Sequence, residues 1–183
     1  MRIITGEFRG RVLKTPAGEH TRPTAEKVKE AMFSILQWDI EGRRVLDLFA
    51  GSGQLGLEAL SRGARECVFI ENDRAAADIV RDNIKKCKAE QRARVIFGDF
   101  ENYLKRGERF DIILIDPPYD SDFREKALNL ISEFDILAIN GIIVVESEQK
   151  SEELPEECGE LVRGKTYSYG RVKLTLYGRR DDL

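Results

Sequence analysis

The 183-residue sequence holds one histidine, three cysteines, one tryptophan, two methionines and five prolines. Each scarcity removes a class of function. His20 alone cannot build a Ser-His-Asp triad or a histidine-based metal site. Cys67, Cys87 and Cys158 are odd in number, far apart and contain no Cys-x-x-Cys. Neither a disulfide framework nor a zinc knuckle is expected, and a reducing cytoplasm is the expected compartment. Apolar runs are as short as Ile112–Ile115, far below the ~20 residues of a membrane span. No apolar segment follows Met1, so an export signal is not expected. There is no repeat, low-complexity tract or Pro/Gly/Ser-rich linker, which with this length reads as one domain.

An excess of positive charge is also missing: 30 Lys and Arg stand against 33 Asp and Glu, a net −3. Its distribution is uneven. Residues 1–24 carry +3, 25–120 carry −2, 121–160 carry −8 and 161–183 carry +4. Since polyanion binding follows local potential rather than total charge, basic ends remain compatible with a nucleic-acid partner.

What the sequence does have is alternation. Arg2–Thr5 and Arg11–Thr15 are short β-like runs separated by Gly6 and Gly10, a hairpin or extended arm. Arg22-Pro23-Thr24 then introduces helical spacing at Ala25, Val28, Ala31, Met32, Ile35 and Leu36, continuing to about Trp38. From residue 43 onward strands are expected at Val45–Phe49, Cys67–Ile70, Arg94–Phe97, Asp111–Ile115 and Ile142–Glu146. Helices are expected between them at Gln54–Arg62, Arg74–Cys87, near Glu101–Lys105 and at Phe123–Leu137. Near-continuous apolar strands alternating with helices predict an α/β fold with a doubly wound parallel sheet. Leu161–Tyr167 and Arg171–Tyr177, joined only by Ser168-Tyr169-Gly170, predict a closing antiparallel hairpin. The expected division is a 1–40 extension and a 41–183 Rossmann-like domain forming one compact unit.

Chemistry concentrates at three places. Gly51-Ser52-Gly53-Gln54-Leu55-Gly56 is a G-x-G-x-x-G between a strand and a helix, and Glu71 lies 20 residues past Gly51 at the tip of the next strand. Such glycines allow close backbone approach, and an acid there can accept both hydroxyls of an adenosine ribose. Asp47, inside the first strand, disfavours a pyrophosphate and suits an ammonium such as that of S-adenosylmethionine. Asp99 follows the third strand, where an adenine amine could be hydrogen-bonded, with Phe100 packed on the ring; a simple turn role for Asp99 stays open. Phe49 and Asn72, adjoining the loop and the acid, belong to the same expected cofactor set. Finally, Asp116-Pro117-Pro118-Tyr119 ends the fourth strand. Two prolines withhold two N–H donors, leaving carbonyls and the Asp116 carboxylate as acceptors. A rigid, acceptor-rich turn beside an aromatic suits an exocyclic amine on a planar base, with Tyr119 stacking on it.

Asp47-Leu48-Phe49-Ala50-Gly51-Ser52-Gly53, Leu55-Gly56-Leu57-Glu58-Ala59-Leu60-Ser61-Arg62-Gly63-Ala64 and Asp116-Pro117-Pro118-Tyr119 resemble the RsmD family. Arg2-Ile3-Ile4-x-Gly6, Gly10-Arg11-x-Leu13 and Arg22-Pro23-Thr24 extend the resemblance over essentially the whole chain. The family comprises bacterial enzymes that methylate N2 of a guanine in 16S ribosomal RNA. The resemblance implies a class I S-adenosylmethionine-dependent methyltransferase with a seven-stranded mixed sheet, order 3-2-1-4-5-7-6, strand 7 antiparallel. It implies Asp116, Pro117, Pro118 and Tyr119 as the catalytic turn, no metal, and 16S rRNA in a small ribosomal subunit as partner. A monomer without membrane association is expected. Arg9, Arg11 and Arg22 of the N-terminal arm are the expected RNA contacts, with the arm on the substrate side of the cleft. An adenine-N6 or protein glutamine methyltransferase could use the same turn. A nicotinamide oxidoreductase would need a hydride-transfer site that the sequence does not display.

Overall fold

The apolar runs become the inner strands of one sheet. The computed structural model describes residues 1–16, 23–118 and 122–182. Its helices are α1 (Pro23–Ile35), α2 (Gln54–Ser61), α3 (Arg74–Cys87), α4 (Phe100–Leu104) and α5 (Phe123–Glu133). Its strands are β1 (Arg44–Asp47), β2 (Glu66–Glu71), β3 (Ala93–Phe97), β4 (Phe110–Ile115), β5 (Leu137–Glu148), β6 (Glu157–Cys158), β7 (Leu161–Tyr169) and β8 (Val172–Arg179). The order is β3-β2-β1-β4-β5-β8-β7-β6. β1 to β5 run parallel, and β8 and β7 return antiparallel. This is the expected methyltransferase order with one addition. The sheet has eight strands rather than seven, because the two-residue β6 pairs with the start of β7 through Cys158, which is buried.

Two apolar layers enclose the sheet. On one face α1, α2, α3 and the N-terminal arm bury Ile3, Phe8, Leu13, Met32, Phe33 and Leu57 against Val45, Phe69, Leu114 and Val144. On the other, α4 and α5 bury Phe100, Tyr103, Leu128 and Ile131 against Leu46, Val68, Ile113 and Val145. Both faces of the parallel strands are therefore dry, which is why these strands read as continuous apolar runs rather than alternating ones.

Three boundaries differ most from the sequence reading, the others by at most two residues. α1 stops at Ile35, and a turn closed by Asp39 N–H to the Leu36 carbonyl leaves Trp38 88% exposed. α5 ends at Glu133 rather than Leu137, since Asp135 takes a left-handed φ of 53° and turns the chain straight into β5. β5 starts earlier than Ile142, with its pairing to β4 irregular between Phe110 and Ile112 and Asn140 at φ 55°.

The arm makes one isolated antiparallel bridge, Arg2 with Val12, and is held by side chains of α2. The Glu58 carboxylate, fully buried, accepts the Ile4 and Thr5 N–H groups at 2.8 and 3.0 Å and the Arg62 guanidinium at 2.9 Å. Lys29, equally buried, lies 3.6 Å from Glu58 and donates to the Arg2 carbonyl at 2.7 Å. Burial lowers the Lys29 pKa, with the Glu58 charge opposing. Ser61 accepts from Phe8 N–H and donates to the Thr5 carbonyl. A buried carboxylate satisfied this fully is a structural hub, and removing it would strand a buried ammonium.

Candidate active site

All five parallel strands end at one edge of the sheet, and their registers bring the candidate residues level. Asp47 pairs with Phe69 on one side and Leu114 on the other. Beyond these pairs β1 gives way to the loop that holds Phe49, β2 runs on to Glu71, which pairs with Phe97, and β4 is followed by Asp116. Glu71 thus adjoins the glycine turn, where its carboxylate accepts the Gly51 N–H, and Asp116 begins the segment after the strand on the other side of β1.

That turn has the geometry its glycines permit. Gly51 and Gly53 take φ of 54° and 77°, left-handed conformations that cost other residues strain. At Gly56 a Cβ would sit 2.3 Å from the Phe69 ring and 2.6 Å from the Cys67 sulfur, so the first turn of α2 lies directly on β2. Asp47, 1% exposed, accepts the Gly56 N–H at 2.9 Å and ties the strand to that helix. Burial pushes the Asp47 carboxyl up to about 7; the Gly56 N–H opposes the rise and the Glu71 charge adds to it. Ser52 is buried, its hydroxyl 3.6 Å from the Met1 sulfur. Glu71 is half-buried and accepts the Gly51 N–H at 2.7 Å and the Asp73 N–H at 2.9 Å, while Asn72 beside it is exposed.

Asp99 caps α4, accepting from Glu101 and Asn102 N–H at 2.8 and 3.2 Å. Phe100 is buried in an aromatic trio, 5.0 Å from Phe49 and 5.4 Å from Phe123 between ring centroids, and Phe49 stacks on Phe123 at 5.9 Å. The trio locks the glycine turn, α4 and α5 together beneath the site edge. Asp116 and Pro117 follow β4 directly; Pro117 is buried, Asp116 partly buried and Pro118 exposed. Tyr119, Arg22 and His20 lie outside the described residues.

The arm does not lie where the sequence reading put it. Its ends reach the site edge: Met1 touches Ser52, and the Lys14 backbone N–H donates to the Asn83 side-chain Oδ1 at 2.8 Å. Its turn, however, packs on Ser61 at the C-terminal end of α2, against the edge where the strands begin. Arg9 is exposed there, and Arg11 donates to the Lys86 carbonyl at 2.7 Å near the end of α3. Long-range hydrogen bonds to α2 decide this position. Any contact that Arg9 or Arg11 makes with RNA falls outside the cleft.

Asn83 escaped the sequence reading. Fully buried, its amide nitrogen donates to the Ser52 and Lys14 carbonyls, both at 2.9 Å, so it clamps the glycine turn to the arm. Glu58 was quoted only as part of a motif, although a lone acid inside the apolar stretch Leu55–Leu60 is a signal of a buried polar hub.

A family model described as "Conserved hypothetical protein 95" matches residues 1–178. Ribosomal RNA small subunit methyltransferase D of Escherichia coli is 40% identical over 180 residues, 98% of this chain and 90% of that one. The chain belongs to the RsmD family. The solved structure of Escherichia coli yhhF superimposes with a TM-score of 0.85 at 37% identity, covering 98% of this chain and 97% of that one. A Thermus thermophilus 16S rRNA N2 G1207 methyltransferase, solved with AdoMet and guanosine, gives 0.71 at 28% identity over 90% of this chain and 45% of that one. The RsmD fold is that of class I S-adenosylmethionine-dependent methyltransferases. Its glycine turn and its Asp-Pro-Pro turn occupy the switch point between β1 and β4, where open α/β sheets bind ligands.

Proposed function

We propose that this chain transfers a methyl group from S-adenosylmethionine to the exocyclic N2 amine of a guanine in small-subunit ribosomal RNA, in the cytoplasm. Methylation of ribosomal RNA is the activity named for its RsmD relative; the guanine amine is the finer reading. The observation that carries it is the placement of the donor-poor Asp116-Pro117 turn directly after β4, which pairs with β1 on the side opposite β2, the strand whose Glu71 holds the glycine loop.

The donor set fits the cofactor. Glu71 is held by two backbone amides at the tip of β2, which orients its oxygens toward a ribose diol. Asp47 and Glu71 are close enough for their charges to repel, and an ammonium between loop and strand relieves that repulsion. Bound there, S-adenosylmethionine supplies an electrophilic methyl group on a sulfonium.

Guanine N2 is a weak nucleophile because its lone pair is delocalised into the ring. Asp116 and the Pro117 carbonyl each accept one N2 proton, favouring a pyramidal nitrogen whose lone pair points at the methyl carbon. Pro117 and Pro118 keep the turn rigid, so most of the rate comes from positioning. Asp116 also stabilises the positive charge that develops on the amine. After transfer the excess proton leaves to Asp116 or to water, and no histidine base is required.

Incubation with labelled S-adenosylmethionine and unmodified small ribosomal particles, followed by digestion, tests the reading. N2-methylguanosine is the expected product. N6-methyladenosine, or label on protein, would replace it with another amino-methyltransferase.

A further inference from the structure

The arm's turn is one part of a basic surface that the site does not use. Arg11 and Arg92 both lie against the Phe8 ring, at 5.3 and 5.5 Å from its centroid, so one aromatic side chain fixes two guanidinium groups. Arg11 reaches the Lys86 carbonyl and thereby brings the last turn of α3 against the arm. Lys85, Lys86 and Lys88 are exposed on that turn and just past it, and Arg9 is exposed on the arm. Six cations from three separate elements converge. The acids near these cations in the chain are Glu7, which is engaged by Arg92 at 2.5 Å, Asp82, which is engaged by Lys14 at 2.7 Å, and Glu90.

Helix electrostatics account for only part of this. Lys85 and Lys86 in the final turn of α3 complement its dipole. That explains neither Arg9 nor Lys88. Lys88 caps α3 at φ 56°, a left-handed position where glycine is the usual residue. A lysine held there against its conformational preference supplies a charge that glycine would not.

We propose that Arg9, Arg11, Lys85, Lys86, Lys88 and Arg92 form a second RNA-backbone contact, remote from the target base. This rests on the RNA-methyltransferase reading and adds a substrate-size requirement to it. α3 runs from the site edge to the patch over 14 residues, about 20 Å at ~1.5 Å per residue. Only an RNA extending that far past the modified guanine touches both surfaces. The same distance exceeds the Debye length of ~8 Å at physiological salt, so the patch acts on RNA and not on the cofactor. A chain with net charge −3 thereby holds a polyanion through a local field.

The test compares two substrates: unmodified small ribosomal particles, and a short 16S stem-loop of about 20 nucleotides carrying the guanine that the labelled particles show to be methylated. Lys85→Glu/Lys86→Glu/Lys88→Glu should raise KM for particles by tenfold or more. It should also flatten the salt dependence of particle binding by roughly 0.7–0.9 log units for each phosphate no longer neutralised. KM for the stem-loop should change far less. Lys88→Gly separates charge from packing, because glycine relaxes the left-handed backbone: Tm should rise or hold while particle KM rises. Equal effects on both substrates, or an unchanged particle KM and salt slope, would overturn the proposal. Absence of any RNA methylation by the wild-type enzyme would instead overturn the functional reading beneath it.

Discussion

The edge of the sheet where the parallel strands end and the edge where they begin treat their carboxylates in opposite ways. At the site edge, Asp47, Glu71 and Asp99 are held by backbone N–H groups from Gly56, Gly51, Asp73, Glu101 and Asn102. At the far edge, Glu66 and Glu108 are held by the Arg44 guanidinium, Glu108 also by Arg94 at 2.5 Å, and Asp111 by Arg43 at 3.4 Å together with the Arg44 N–H at 2.7 Å. An amide orients a carboxylate without cancelling its charge; an arginine does both. The site-edge carboxylates thereby have backbone amides as these partners, an arrangement consistent with the proposed cationic ligand, while the far-edge carboxylates are paired with arginines within the fold.

The largest separation of the two edges should come from Asp116→Ala. Turnover is expected to fall by about 10²–10³-fold or more, the scale for losing a group aimed at developing charge. Cofactor affinity measured by calorimetry should stay close to wild type, since Asp116 is assigned to the substrate amine. Near-normal turnover would remove the turn from the mechanism.

Glu58→Ala should do the reverse. The buried carboxylate serves Ile4, Thr5, Arg62 and Lys29, and truncation leaves Lys29 a buried charge without its counterion. A loss of ~3–5 kcal/mol in denaturant unfolding is expected. A loss under ~1 kcal/mol would mean that the arm docks by apolar contacts alone.

Asp47 shows the cost of the site edge directly. Its folded pKa is raised from 3.8 to about 7, so the sign is that of a destabilising ionisation. Below pH 4 both folded and unfolded states hold the proton; between 4 and 7 only the folded state does; above 7 the folded protein carries a buried charge. The group's contribution to stability is therefore lost as pH rises through that window. Asp47→Asn should stabilise the cofactor-free protein at pH 8 by on the order of 2–4 kcal/mol and leave it unchanged at pH 3.5. The same substitution should weaken cofactor binding and abolish its rise in affinity between pH 5 and 7. A variant no more stable at pH 8 than wild type would show that Asp47 ionises without penalty.

How much of this was legible beforehand depended on range in the chain. The glycine loop, Glu71 and the Asp-Pro-Pro turn lie within or beside their own strands, and period and spacing sufficed to bring them to one edge. The aromatic trio was half visible: Phe49 and Phe100 adjoin recognisable motifs, whereas Phe123 joins them only after α5 has crossed back. Arg9 and Arg11 were misplaced because their position depends on Glu58 and Ser61, some 50 residues away and inside another helix. Asn83 looked like an ordinary polar position on an amphipathic helix. Its partners Ser52 and Lys14 belong to two other segments, and only the folded chain joins them. The two-residue β6 has no periodicity to read; it exists because β7 offers an edge.

The finest test of the contrast between edges uses one substitution at each. Glu71→Gln preserves size and one acceptor oxygen, but the second oxygen becomes an NH₂ group facing either the Gly51 or the Asp73 N–H. The remaining acceptor then has to serve both loop and ribose. Cofactor Kd should rise about tenfold, equivalent to ~1.4 kcal/mol, with kcat at saturating cofactor near wild type because no reacting atom is touched. Glu108→Gln, at the far edge, weakens charge-assisted bonds to Arg44 and Arg94 at 2.9 and 2.5 Å. It should lower Tm slightly and leave cofactor Kd where it was, since these partly exposed pairs are worth little each. If Glu71→Gln instead lowers Tm and spares Kd, Glu71 is a structural carboxylate like Glu108, and the ligand-facing character of the site edge rests on Asp47 and Asp116 alone.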